Sequence, residues 1–384
     1  VILAGKIEFM RPIQMVDTKT QYLRIKAEVD AAIQEVLDSA AYINGKPVQD
    51  FSEALANYLG VNHVIPCANG TDALQIAMMA LGLQPGDEVI TPSFTYIATT
   101  EVVALLRLRP VFVEVNPQTF CMDPAALKKA ITPQTKAIVP VHLYGQAAPM
   151  EEILAIAREH NISVIEDNAQ AIGCDYRFSN GTVCKTGTMG HIGATSFYPS
   201  KNLGAFGDGG ALCTNDAALA HKLKMIANHG QQKRYYHEIV GCNSRLDSIQ
   251  AAILNCKLKH LDQYNAARNK VAEYYDQAFT GHPKITIPAR AAYSNHVFHQ
   301  YTILVENADR DALQAYLAQQ KVPSMIYYPV PGHRQPMFAG QAAQVPPMPV
   351  TDWLTERVIS LPVHTEMEEE QLAYITDQVL NFLK

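Results

Sequence analysis

The chain has 384 residues, enough for two domains or one large α/β body with a sizeable core. With 48% hydrophobic and 18% charged residues it has the balance of a soluble globular enzyme rather than of a disordered or fibrous chain. A formal net charge of −6 leaves no basic excess to neutralise nucleic-acid phosphates, and no uninterrupted apolar run approaches membrane-spanning length.

The start, VILAGKIEFMRPIQMVD, lacks the basic stretch and long apolar run of a secretory signal, so residues 1–12 are expected to form an N-terminal extension. QYLRIKAEVDAAIQEVLDSA has helical spacing, and a second helix follows Pro47 and closes at Gly60. An alternation then begins: HVIPC, EVITPS, RPVFVEV, TKAIVPVHL and SVIEDNA read as strands, each of the first four followed by a helical segment. Near-continuous apolar strands in β-then-α order predict a mainly parallel sheet covered on both faces. GATSFYP and GALCT read as further strands, and residues 248–279 as one very long helical pattern without Gly or Pro. Such a helix commonly joins two domains, so a large domain over 13–260 and a small α+β domain over 261–384 are expected. In the latter, FHQYTILV and VPSMIYYPV read as strands, PGHRQPMFAGQAAQVPPMPV as an exposed loop, and two helices close the chain.

The seven cysteines are scattered without a CxxC pair, so neither a zinc site nor a disulfide framework is expected, and reduced thiols in a cytoplasmic protein are the default. No GxGxxG or GxxxxGK[ST] follows a strand, which disfavours dinucleotide and nucleoside-triphosphate chemistry.

Three other stretches carry chemistry. ANGTDAL places Gly70, Thr71 and Asp72 at a helix start, where unpaired N–H groups and the helix dipole favour an anion; an ordinary cap by Thr71 or Asp72 explains the same residues. VIEDNAQAIG ends an apolar strand with Glu166 and Asp167, with Gln170 shortly after, at the edge where open α/β sheets bind ligands. SFYPSKNLGAFGDGG sets Lys201 before several glycines. A lysine amine can bond a carbonyl cofactor, of which pyridoxal phosphate is the commonest. That cofactor needs a lysine for its aldehyde, an acid beside its ring nitrogen, an anion site and a flat group against its ring. Lys201, Asp167, the Gly70–Asp72 helix start with Ser196, and Tyr96 supply one candidate each.

ANGTDAL, TPSFTYIAT, VPVHLYGQ, EDNAQAIG, SFYPSKNLGAFGDGG and NSRLDSIQAAIL occur in the order seen in the DegT/DnrJ/EryC1/StrS family, which the chain resembles from about Ile13 to its C-terminus. The resemblance implies a type I (aspartate aminotransferase-like) fold and a pyridoxal-phosphate sugar aminotransferase. It implies Lys201 as the Schiff-base lysine, Asp167 at the pyridine nitrogen, Gln170 beside the ring hydroxyl and Tyr96 against the ring. It further implies phosphate contacts from Gly70, Thr71 and Ser196, and from Asn243 onto a neighbouring subunit, hence a homodimer with shared sites. Some members carry His in place of the lysine and act as dehydratases; Lys201 favours transamination.

The resemblance also implies a nucleotide-diphosphate keto sugar as acceptor and glutamate, returning as 2-oxoglutarate, as donor, in amino-sugar synthesis for surface polysaccharide such as lipopolysaccharide O-antigen. NHGQ, RYYH and NSRLD resemble 3-aminotransferases for UDP-linked 3-keto sugars, including uronates. Arg234, Arg245, His333 and Arg334 are candidates for a uronate carboxylate, each also readable as a solvated arginine or an ordinary surface histidine, and Tyr327 and Tyr328 for the sugar pocket, unless they are core. A 4-keto-sugar or TDP-3-keto-6-deoxy-sugar aminotransferase is the neighbouring alternative. A silent regulatory relative is the distant one, which Lys201, Asp167 and Gln170 disfavour.

Overall fold

The computed structural model describes residues 10–384. Most of the expected N-terminal extension over 1–12 lies outside these residues. Arg11 is within them, and ties the chain start to its end through an ion pair with Glu368 at 2.7 Å and a hydrogen bond to the Glu366 carbonyl at 2.8 Å.

The strands are β1 (His63–Cys67), β2 (Glu88–Pro92), β3 (Arg109–Val113), β4 (Thr135–Ile138), β5 (Ser163–Asp167), β6 (Asp175–Arg177), β7 (Val183–Lys185), β8 (Ile192–Ser196), β9 (Gly210–Thr214), β10 (Gln231–Lys233), β11 (Tyr236–His237), β12 (Ile285–Thr286), β13 (Tyr301–Val305) and β14 (Val358–Leu361). Seven of them form one sheet in the order β1-β9-β8-β5-β4-β2-β3. The pairs from β3 across to β8 are parallel, while β9 runs antiparallel to both β8 and β1. The sheet is thus mainly parallel. Strands β2, β8 and β9 are buried along their whole length, because helices cover both faces. Gly70–Ala80, Ala98–Leu105 and Ala217–Ile226 contribute to the apolar core on one face; Pro124–Ala130 and Met150–Glu159 contribute to the core on the other. A third core gathers around β12-β13-β14 and the helices Leu261–Phe279, Arg310–Gln319 and Glu369–Leu383, and Ile13 packs against it.

Three expectations need correction. The long helical pattern is two helices, Ser248–Leu258 and Leu261–Phe279. Between them the His260 N–H bonds back three residues to the Lys257 carbonyl at 3.0 Å, a tighter turn that ends the first ladder without Gly or Pro. VPSMIYYPV is not a strand; it keeps only one bridge, Met325 to Ser360. Side chains take its polar groups instead: Tyr144 Oη donates to the Tyr327 carbonyl, and Gln170 Nε2 donates to Tyr328 Oη at 2.9 Å. The fully buried strand beside β13 is VISL (β14), between the closing helices. The Pro- and Gly-rich stretch that follows VPSMIYYPV is not simply an exposed loop, since Phe338 and Met348 pack on Phe112. No helix among the described residues is long and apolar enough to cross a membrane.

Candidate active site

The C-terminal ends of β1, β5 and β8 meet at one sheet edge, and β9, being antiparallel, starts there. A cavity of about 630 Å³ opens at this edge. It is lined by Gly70, Thr71, Tyr96, Asp167, Gln170, Ser196, Lys201, Tyr327 and Tyr328, all nine of them expected from sequence.

Asp167 ends β5 with its side chain in the cavity wall. Its Oδ2 accepts from Thr99 Oγ1 at 2.8 Å and its Oδ1 from the Ala169 N–H at 3.1 Å. Burial pushes its pKa up, against the lowering pull of these two donors and of Lys201. No cation among the described residues comes within ion-pair distance, so the carboxylate is held in place by neutral donors alone. Glu166 precedes it and so faces the other side of the sheet. There it accepts from His142 Nε2 at 2.8 Å, from the Gly187 N–H at 2.8 Å, and from the Met189 and Gly190 N–H groups at 2.6 Å each. Of the two adjacent carboxylates only Asp167 meets the cavity.

Lys201 sits between β8 and β9. Its main chain turns back through a hydrogen bond from its own N–H to the Tyr198 carbonyl at 2.8 Å. The side chain reaches the cavity, yet protein surrounds it on most sides, and this desolvation lowers the ammonium pKa to about 8; the charge of Asp167 opposes the shift.

The helix Gly70–Ala80 is capped by Asn69, whose Oδ1 accepts the Asp72 N–H at 2.8 Å, and not by Thr71 or Asp72. The Gly70 and Thr71 N–H groups keep no acceptor among the described residues and lie at the cavity wall. A Cβ at Gly70 would stand 2.7 Å from that of Ser196, so only glycine allows the helix start and the end of β8 to come together. Asp72 does not line the cavity.

Gln170 accepts the Tyr144 N–H at 2.7 Å through Oε1 while its amide donates to Tyr328, which fixes the amide plane. Tyr96 is 55% exposed, and its ring lies 6.0 Å from that of Tyr328, leaving one broad face free.

The remaining expected residues lie elsewhere. Arg234 sits over the Tyr235 ring at 5.0 Å, on the exposed turn between β10 and β11. Asn243 is exposed, and Arg245 lines a second cavity of about 650 Å³ beside Asn44 and Ser244. His333 is largely buried rather than a surface histidine: Nδ1 meets Ser93 Oγ at 2.6 Å, and burial lowers its pKa. Arg334 ion-pairs with Asp352. Neither reaches the first cavity. Sequence reasoning missed Thr99, His299 and Gln300. Thr99 is hidden inside a helical pattern, whereas His299 and Gln300 precede an apolar strand and join the cavity wall only through the fold. Desolvation, and after it the charges of Lys201 and Arg268, push the pKa of the buried His299 well down. Asp208 of the GDGG run also lines the cavity.

The arrangement suits carbonyl-amine chemistry: an amine near neutrality, a buried acid without a cation, open N–H groups at a helix start, and a free aromatic face. Similarity to known proteins agrees. The chain is 46% identical, over 96% of its length and all of the relative's, to the UDP-2-acetamido-2-deoxy-3-oxo-D-glucuronate aminotransferase of Pseudomonas aeruginosa. It is 46% identical, over 94% of its length and 96% of the relative's, to the UDP-N-acetyl-3-dehydro-alpha-D-glucosamine 3-aminotransferase of Acidithiobacillus ferrooxidans. A relative from Geobacillus stearothermophilus, 44% identical over 97% of this chain and 99% of its own, is named a pleiotropic regulatory protein. Among solved structures, DesV of S. venezuelae superposes with a TM-score of 0.92 at 40% identity, covering 98% of this chain and 99% of that one. NtdA of Bacillus subtilis, with bound cofactor PMP, gives 0.87 at 31% identity over 96% and 83%. Aminotransferases of this kind depend on pyridoxal phosphate. The family model itself matches residues 23–380, and the chain belongs to the DegT/DnrJ/EryC1/StrS aminotransferase family.

Proposed function

We propose that this aminotransferase uses pyridoxal 5'-phosphate to move an amino group from glutamate to the C3 keto group of a UDP-linked 3-keto sugar, a uronate being the first candidate. We further propose a cytoplasmic homodimer serving amino-sugar synthesis for surface polysaccharide. One observation carries the reading: a single cavity gathers Lys201, Asp167, the Gly70–Thr71 helix start with Ser196, and the free face of Tyr96.

The cofactor fits what these residues lack. Asp167 is a buried acid without a cation, and a protonated ring nitrogen would be one. The Gly70 and Thr71 N–H groups await an anion, with Ser196 Oγ beside them. Tyr96 would cover one ring face, and Gln170, fixed from both ends, would stand at the ring hydroxyl. Bound pyridoxal phosphate supplies an electrophilic aldehyde and an electron-withdrawing ring.

The chain's own part is proton handling. Lys201 Nζ, near 8, can be neutral at working pH, and so can take the proton from the substrate carbon and return it as an acid. Asp167, ionised opposite a ring cation, would keep the ring-nitrogen proton in place. Tyr327 and Tyr328 wall the sugar side. Asn243 and Arg245 do not line this cavity, and Asn243 is exposed, which supports a role in the partner subunit's site, Asn243 at the phosphate and Arg245 at the sugar carboxylate. Arg234, on its exposed turn, fits the same cross-subunit role, while His333 is proposed to brace the sugar side through Ser93.

We also infer a large domain over 13–260 and a small one over 261–384. The helix break at Lys259–His260 and the separate third core support it, although Ile13 packs with the latter. The similarity to the two UDP-3-keto-sugar relatives supports the C3 assignment. The test runs the reaction in reverse: UDP- and TDP-linked 3- and 4-amino sugars with 2-oxoglutarate, following glutamate. Glutamate from UDP-3-amino sugars is expected. Turnover of 4-amino or TDP-linked sugars alone would move the substrate to those classes. The regulatory name of the Geobacillus stearothermophilus relative favours a second reading, a silent binding protein, and that reading expects neither glutamate nor cofactor uptake.

A further inference from the structure

Outside the cavity, a second lysine is buried without an acid. Lys257, on the helix Ser248–Leu258, is 2% exposed. Desolvation, with the charge of Arg268, lowers its pKa to about 8, and no carboxylate among the described residues pairs with it. Burying an ammonium costs several kcal/mol, so a methionine of similar shape would serve the core better. What the ammonium does is specific: Nζ donates to the Gly204 carbonyl at 2.5 Å and lies 5.5 Å from the Phe206 ring. Gln250, two helical turns earlier and so on the same helix face, accepts the Phe206 N–H at 2.8 Å.

The chain they hold is the Lys201 segment. The Ala205 N–H bonds the Phe197 carbonyl at 2.8 Å, closing a loop with Lys201 inside it. Gly204 is packed so tightly that a Cβ there would fall 2.3 Å from the Pro199 carbonyl oxygen. Asn202 anchors the far side, donating to Asn265 Oδ1 at 2.7 Å and the Val297 carbonyl at 2.9 Å. Lys257 and Gln250 grip the returning side at Gly204 and Phe206, before the chain rejoins the sheet where the Phe197 N–H bonds the Gly209 carbonyl at 2.7 Å.

We propose that Lys257, assisted by Gln250, is a positioning residue: by holding the chain at Gly204 and Phe206 it sets where the Lys201 amine stands in the cavity. The proposal rests on the reading of Lys201 as the cofactor-bearing lysine, and its test separates the two. Lys257→Met, Lys257→Arg and Gln250→Leu are compared with the unaltered protein, folding being checked by circular dichroism and thermal melting. Amide hydrogen exchange of residues 198–208 is measured without cofactor; pyridoxal phosphate affinity and borohydride-fixed label on Lys201 are measured with it. Lys257→Met is expected to speed exchange in this segment about tenfold and to weaken cofactor binding by a similar factor. Lys257→Arg should restore both to within about threefold, and Gln250→Leu should show a smaller change in the same direction. Unchanged exchange and affinity in folded Lys257→Met overturn the proposal, as does a failure of Arg to rescue. If Lys257→Met does not fold, Gln250→Leu decides by the same criteria. If the unaltered protein takes no label at Lys201, the cofactor reading falls, while the exchange comparison still decides the grip.

Discussion

An amine bonds an aldehyde only in its neutral form, so pH reads the surroundings of Lys201 directly. Burial brings its pKa from 10.5 to about 8. At pH 7 about one amine in eleven is then neutral, against roughly one in three thousand for an ordinary lysine, a gain of about 300-fold. Asp167 works against this shift, so Asp167→Asn should carry the midpoint lower still. Cofactor-free protein is incubated with pyridoxal phosphate and cyanoborohydride at a series of pH values, and label on the Lys201 peptide is timed by mass spectrometry. The initial rate should climb to a plateau with a midpoint near 8, and at lower pH in Asp167→Asn. A midpoint at the value of a solvated lysine, or an upward move in Asp167→Asn, refutes the account of the site as a desolvated amine facing an acid.

Glu166→Gln sets an amide nitrogen among four donors and leaves at least one or two of them unmet, so urea unfolding should show a loss of about 2–4 kcal/mol; a loss below about 1 kcal/mol contradicts that count. Gly70→Ala forces the helix start away from Ser196, and cofactor affinity, followed by fluorescence, should weaken at least about tenfold while the Asn69 cap keeps the melting temperature within a few degrees. The folded-state pKa of Lys257 lies below its unfolded value, so between about 8 and 10.5 the unfolded chain binds the extra proton and stability rises with pH. Relative to Lys257→Met, the unaltered protein should therefore gain up to about 3 kcal/mol across that window, since a tenfold change in a proton-binding constant on folding is worth about 1.36 kcal/mol; a flat difference in paired urea titrations contradicts it.

Strands such as EVITPS and SVIEDNA were legible because burial on both faces leaves an apolar run with turn residues after it. Lys201, Asp167, Gly70 and Ser196 were legible because each ends or shortly follows a strand, where the chain must reach the ligand-binding edge. His299 and Gln300 were not: they precede β13, and only the docking of the third core against the sheet turns them to the cavity. Thr99 reads as one more helix residue until Asp167 is placed beside it. In the ANGTDAL helix the capping oxygen belongs to Asn69, one residue before the glycine, and three short polar residues within four positions cannot be ranked by type alone. VPSMIYYPV has strand composition, but the side chain of Tyr144 takes the Tyr327 carbonyl and that of Gln170 bonds the Tyr328 hydroxyl, a distance in sequence that no local pattern spans.

The reversed direction of β9 has a practical consequence. Ser196 and Gly210 are direct partners in an antiparallel pair, so the two ends of the 197–209 segment are fixed about 5 Å apart on one rigid edge. The segment is therefore exchangeable as a cassette. A loop from another protein would have to match that gap, present a carbonyl to Lys257 and an N–H to Gln250, and refill the places of Phe197 and Leu203 in the core and of Asn202 against Asn265, while the strand register on either side is left untouched. In a fully parallel sheet the same transplant would have to include a crossover helix, and with it a face of the core.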